Sequence, residues 1–140
     1  MLVISVNHAL CVALGVILAI ALHELIHLVV TLILRIRIEA FFISILALGF
    51  ALCEEDICYS RVRIALTSLC PLVLNVTLLF PSLILQVIGL VNALSSTGDI
   101  YVALKLITMR SLDERIKWSR KIKKDVLRKA IYVKWLQPCM

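Results

Sequence analysis

From Met1 to Leu34 the chain carries one formally charged side chain, Glu24, and no proline. At about 1.5 Å per residue this is about 50 Å of helix, longer than the ~30 Å hydrocarbon core of a bilayer, so a first span here is tilted or protrudes. The whole chain supports that reading. Of its 140 residues, 62% are hydrophobic and 17% charged, against roughly half and a quarter in soluble domains. With a mean hydropathy of +1.05, a disordered chain is excluded and an integral membrane protein is expected. The length suits a single domain.

Arg35 closes the first span. In Arg35-Ile36-Arg37-Ile38-Glu39-Ala40-Phe41 polar and apolar residues alternate, the period of a strand. A second apolar run, Phe42 to Leu52, ends in Glu54-Glu55-Asp56. Residues 35–56 therefore read as a β-hairpin or re-entrant pair of strands, with a short buried helix as the alternative. A second span follows over about 62–80, with Pro71 inside it and Pro81 at its end. The third, over about 82–109, is expected to break at Asn92 and at Ser95-Ser96-Thr97-Gly98-Asp99, because such polar backbone is tolerated in a membrane only against protein or a wet cavity. From Leu112 to Leu136 the apolar spacing predicts a basic amphipathic helix in the interface, with Trp118 and Trp135 at the headgroup level. The predicted fold is mainly α: three spans, a cytoplasmic hairpin between the first and second, and an amphipathic C-terminal helix. Residues 1–110 form the core and 111–140 a basic interfacial tail.

Charge orients this arrangement. Residues 110–140 hold ten of the fifteen Lys and Arg against three acidic residues, a net +7, while the first 109 residues carry −1. Such a tail is attracted to anionic headgroups. Nucleic acid is the competing partner, but no recognition motif accompanies the charge. With three spans, Arg35, Arg37, Arg61, Arg63 and the tail all fall on one side. The positive-inside rule then puts the hairpin and C-terminus in the cytoplasm and the N-terminus outside, in what is expected to be the plasma membrane. The first apolar run is too long for a signal peptide's core and is read as a retained span. The five cysteines form no CxxC and no disulfide framework, and the spacing of Cys53 and Cys58 matches no common zinc pattern.

Within the first span stands His23-Glu24-Leu25-Ile26-His27, an HExxH motif. Residues four apart share a helix face, so both imidazoles can ligate one metal, and the Glu beside them can act as general base on an activated water. Composition alone yields about 0.002 chance matches in this chain, a low false-positive risk for the motif. The bland alternative, three polar residues that only hold helices together, is a costly way to pack apolar spans. Zinc also needs a third protein ligand and an open position. His8 lies about 22 Å up the same helix and cannot reach. Glu39, Glu54, Glu55 and Asp56 belong to the hairpin and fit a solvated turn. Asp99 is left, at a depth comparable to His27, with an N-cap after Gly98 as its structural alternative. Two roles are open to Asn92: binding a substrate carbonyl or metal ligand, or bonding a neighbouring helix. Asn75 faces the same choice, with packing favoured, and Lys105 is placed to snorkel to the interface.

HExxH in one span, a hairpin, and an Asp in a later span resemble the site-2 protease class of intramembrane zinc metalloproteases. The likeness is greatest to small zincin-peptidase membrane proteins. It rests on His23 to His27, on Ser68-Leu69-Cys70-Pro71-Leu72 and on Asn92 to Asp99, and covers residues 15–110. It implies His23, His27 and Asp99 as zinc ligands, Glu24 as catalytic base and Asn92 as the substrate-binding Asn that precedes the ligand Asp. The chain departs from that pattern at Ser95, where the proteases place Pro, and at Gly98-Asp99-Ile100, where Gly precedes the Asp instead of following it.

The expected function is zinc-dependent cleavage of a peptide bond in or near a transmembrane segment of a membrane-protein substrate, held extended on the Arg35–Phe41 edge. The alternative is a catalytically inactive metal-binding membrane protein that binds clients. A through-membrane ion path is disfavoured, because Val12 to Leu22 holds no polar side chain.

Overall fold

The computed structural model describes residues 6–43, 48–52, 61–127 and 131–134. It is mainly helical, in the order α1 (Val6–Ile33), β1 (Ile38–Ile43), β2 (Leu48–Leu52), α2 (Arg61–Leu69), a 3₁₀ segment (Cys70–Leu79), α3 (Leu83–Thr108), α4 (Leu112–Leu127) and β3 (Ile131–Lys134). Three helices are long and apolar enough to cross a membrane: Asn7–Ile33, Arg61–Leu79 and Leu83–Thr108.

The helices meet along stripes of small and polar residues. On α1 the buried positions are Gly15, Ala19, His23, His27 and Thr31, one every fourth residue and so one face. On α3 they include Gly89, Asn92, Ser96, Ala103 and Leu106. Small side chains let the backbones approach closely where lipid offers no hydrophobic drive to association. A Cβ at Gly15 would stand 2.8 Å from Val87 Cγ1, and one at Gly89 would stand 2.6 Å from Leu78 Cγ and 2.7 Å from Thr77 Oγ1. The outward faces carry Ile17, Leu32, Leu90, Leu94 and their like, all exposed, as suits a lipid-facing surface. At one end of these stripes Ile36, Ile64 and Leu106 form an apolar cluster, joined by Leu34, Leu52, Val102 and Trp118.

α1 stops by a Schellman turn. Arg35 adopts the left-handed conformation (φ 54°), its N–H donates to Leu32 O, and the Ile36 N–H reaches back to Thr31 O, each at 3.0 Å. The turn delivers the chain into β1, the central strand of a sheet ordered β2-β1-β3. β1 and β2 pair antiparallel from Ile38↔Leu52 to Ile43↔Leu48. Residues 44–47 between them lie outside the described residues, as do Glu54, Glu55 and Asp56 of the expected turn, Cys53 and Cys58.

Two expectations are corrected. The third span does not break: α3 runs unbroken through Ser95–Asp99. Asn92 and Ser96 turn inward and are fully buried, while Thr97 Oγ1 donates to Leu94 O and satisfies its hydroxyl within the helix. The tail is not one helix to Leu136. α4 ends at Leu127, and Ile131–Lys134 pairs antiparallel with β1. The β-branched and aromatic Ile131-Tyr132-Val133 suit a strand, and β1 offers them an edge whose backbone groups need partners. Trp135 lies outside the described residues.

The packing at Gly89 yields a matched test. Gly89→Val should lower stability by about 1–3 kcal/mol through overpacking against Leu78. Gly98→Ala, where a Cβ meets nothing within 4 Å, should leave it unchanged or raise it by up to about 1 kcal/mol. Denaturation in detergent, followed by circular dichroism, compares the two.

Candidate metal centre

The two turns of α1 that carry the motif place His23 and His27 on the buried stripe, 5% and 8% exposed. Asp99 faces them from α3. His23 Nε2 lies 3.1 Å and His27 Nε2 3.3 Å from Asp99 Oδ2, and the two Nε2 atoms are 3.2 Å apart. The structure thus brings together the three residues expected as ligands. Asp99 stands in the middle of α3, so it caps no helix.

What lies behind the imidazoles fixes which nitrogen faces inward. His23 Nδ1 donates to Asn92 Oδ1 at 2.8 Å. His27 Nδ1 donates to the backbone oxygen of Thr67 at 2.9 Å. Each neutral ring then carries its proton on Nδ1 and turns the Nε2 lone pair toward Asp99. Both acceptors are themselves held in place. Asn92 is fully buried, and its Nδ2 donates to Pro71 O at 2.9 Å and to Asn75 Oδ1 at 2.7 Å. Thr67 O would accept from the N–H four residues on in a continuous α-helix, but that residue is Pro71, which has none. The chain tightens into a 3₁₀ helix at Cys70, and the carbonyl is left to accept from His27.

Asn92, for which the sequence left open a bond to substrate, to a metal ligand or to a neighbouring helix, is turned to His23 with its amide hydrogens and its oxygen engaged. Asn75, read as a packing residue, belongs to the same network. The Thr67 carbonyl was not anticipated from the sequence. Its signal is a proline inside a span, which frees the backbone acceptor four residues before it. His8 sits exposed toward the far end of α1, apart from the centre.

These side chains fit a zinc ion. Asp99 Oδ2 is buried without a hydrogen-bond partner, and it meets two imidazole lone pairs. Such a set of donors suits a bound cation. Tetrahedral zinc with ~2.0–2.1 Å bonds separates its ligand atoms by about 3.3 Å, which the three observed separations approach. Glu24, half-buried, precedes His27 by three positions and so lies beside it on the helix surface.

The supporting bonds should be measurable as metal affinity. Asn92→Ala and Pro71→Ala should each weaken zinc binding by about 10–100-fold, since each disturbs the partner of a ligating imidazole. Thr67→Val, which leaves the backbone carbonyl in place, should not. Competition with a chromophoric chelator reads all three. Unchanged affinity in a well-folded Pro71→Ala protein would show that the Thr67 carbonyl does not position His27.

Comparison with known proteins agrees with this geometry. No curated protein and no solved structure matches the chain. Residues 16–112, which contain the motif, Pro71, Asn92 and Asp99, match the model of a family described as “putative zincin peptidase”. That match spans more than half of the sequence, and the chain belongs to this family of zincin peptidases.

Proposed function

We propose that the protein is a zinc-dependent intramembrane endopeptidase of the site-2 protease type, hydrolysing a peptide bond in or near a transmembrane segment of another membrane protein. The observation that carries this is the convergence of His23, His27 and Asp99 between two helices long enough to span a bilayer. Family membership supports zinc and peptide hydrolysis. The membrane setting supports the substrate class: His27 lies six residues inside the end of α1, about 9 Å of helix, and Asp99 nine residues inside the end of α3, about 14 Å. A peptide bond that reaches the centre has therefore entered the bundle.

In this mechanism His23, His27 and Asp99 hold the metal, with Asn92 and the Thr67 carbonyl keeping the imidazoles in the ligating tautomer. Zinc bound there supplies Lewis acidity, making a water more acidic and polarising the scissile carbonyl. Glu24 accepts a proton from the attacking water and passes it to the amine nitrogen as the C–N bond breaks. The apolar walls of α1 and α3 keep bulk water from the reacting carbonyl.

Orientation follows from the basic residues. Lys123 of α4 pairs with Glu39 of β1, which sets the basic tail at the same end of the bundle as Arg35 and Arg37. On the positive-inside rule this end is cytoplasmic, the N-terminus is outside, and the tail lies against anionic headgroups of the plasma membrane.

Detergent-purified protein should contain about one zinc per chain, lost in His23→Ala and in Asp99→Ala. Glu24→Gln should keep the metal and lose about 10²–10⁴-fold in turnover of single-span substrates. A wild-type protein that takes up no zinc sinks the reading. Bound zinc with equal, negligible turnover in wild type and Glu24→Gln would make the protein a metal-binding client holder.

A further inference from the structure

A membrane-spanning substrate arrives as a helix, its carbonyls bonded to its own amides. Cleavage needs a stretch of it extended, and the amides and carbonyls so released need new partners. A strand edge supplies them, and β1 is the strand joined to the metal-bearing helix: Ile36 N–H is bonded to Thr31 O, and Thr31 is one turn past His27. The sequence reading expected a substrate on this edge. In the structure both edges of β1 are filled.

The two neighbours differ. β2 follows β1 after a four-residue connection. β3 comes from the far end of the chain, is only four residues long and pairs as Ala40↔Lys134, Phe41↔Val133, Phe42↔Tyr132 and Ile43↔Ile131. Ile131 is 81% exposed, so its side chain contributes little burial to hold the strand. The tail is anchored instead through α4: Trp118 against the Ile36, Ile64 and Leu106 cluster, and Lys123 Nζ at 2.5 and 2.6 Å from the two Glu39 oxygens.

The substrate was expected on an edge of β1; we infer that the chain's own tail occupies that edge at rest, as a resident strand on the β3 side that an extended substrate segment must displace. This rests on the peptidase reading above. The resident strand also indicates what the edge accepts. Ile131-Tyr132-Val133 followed by Lys134 is apolar sequence with a basic flank. The cytoplasmic end of a transmembrane segment has this composition. A substrate binds by displacing β3.

The test uses the full chain and reads hydrogen exchange of the β1 amides, which requires no turnover. Tyr132→Pro with Val133→Pro removes both adjacent N–H groups of β3, whichever faces β1. Those β1 amides that face β3 should exchange at least about 10-fold faster in this variant, with zinc content and helicity unchanged. Excess synthetic peptide Lys-Ala-Ile-Tyr-Val-Lys-Trp-Leu should restore their protection. Lys123→Glu should loosen the same amides, and Glu39→Lys added to it should tighten them again. Unchanged exchange in the double-proline variant overturns the inference, as does lost protection that the peptide does not restore. If the peptide docks but no substrate is cut by the zinc-loaded protein, the docking edge stands and the peptidase reading fails.

Discussion

Two imidazole nitrogens and a carboxylate oxygen face one another inside an apolar bundle, a donor set suited to a cation, and the rest of the architecture arranges that meeting. Each ligand is short, so α1 and α3 must run close together. Closeness comes from glycine, alanine and serine along the contact, and the bulky side chains go outward, where lipid receives them. The polar atoms at the centre thereby dictate the size of residues two and three turns away. Gly15 lets α3 approach α1, and Gly89 lets the 3₁₀ segment approach α3, without either touching the site.

The span count and the meeting of His23, His27 and Asp99 were legible in the sequence, for different reasons. Long apolar runs can be little else than spans. HExxH is rare enough by chance that it names a helix face and a metal together. Asp99 was reachable because depth along two helices can be counted in residues from their charged ends. Other features were misread because sequence gives a residue's polarity and not its partner. Ser95 to Asp99 looked like a break, yet Thr97 folds its hydroxyl back on its own helix and Ser96 faces inward, so the backbone has no need to open. Ile131 to Lys134 fitted the apolar spacing of the helix before it. Its strand conformation depends on an edge of β1 that lies at the other end of the chain, and no local pattern reports that.

The supporting interactions around the imidazoles come from unlike sources. His23 leans on a side chain, Asn92, which is itself held by Asn75 and by the main-chain oxygen of Pro71. His27 leans on the main chain of α2. One proline thus serves both rings: its carbonyl accepts from Asn92, and its missing hydrogen leaves the Thr67 oxygen to His27. The passage from α-helix to 3₁₀ helix at Cys70 is the backbone's accommodation to that residue.

A main-chain acceptor also changes where mutation can do harm. The group that orients His27 is present whatever amino acid stands at position 67, and the Thr67 hydroxyl is spent on Arg63 O within its own turn. Sequence drift at that site leaves the ring's partner intact. The vulnerability moves four residues along the chain, to a position that never meets the imidazole. A substitution scan scored by proximity to the metal would pass over it, while one scored by which backbone oxygens lose or gain a helical donor would rank it beside the ligands.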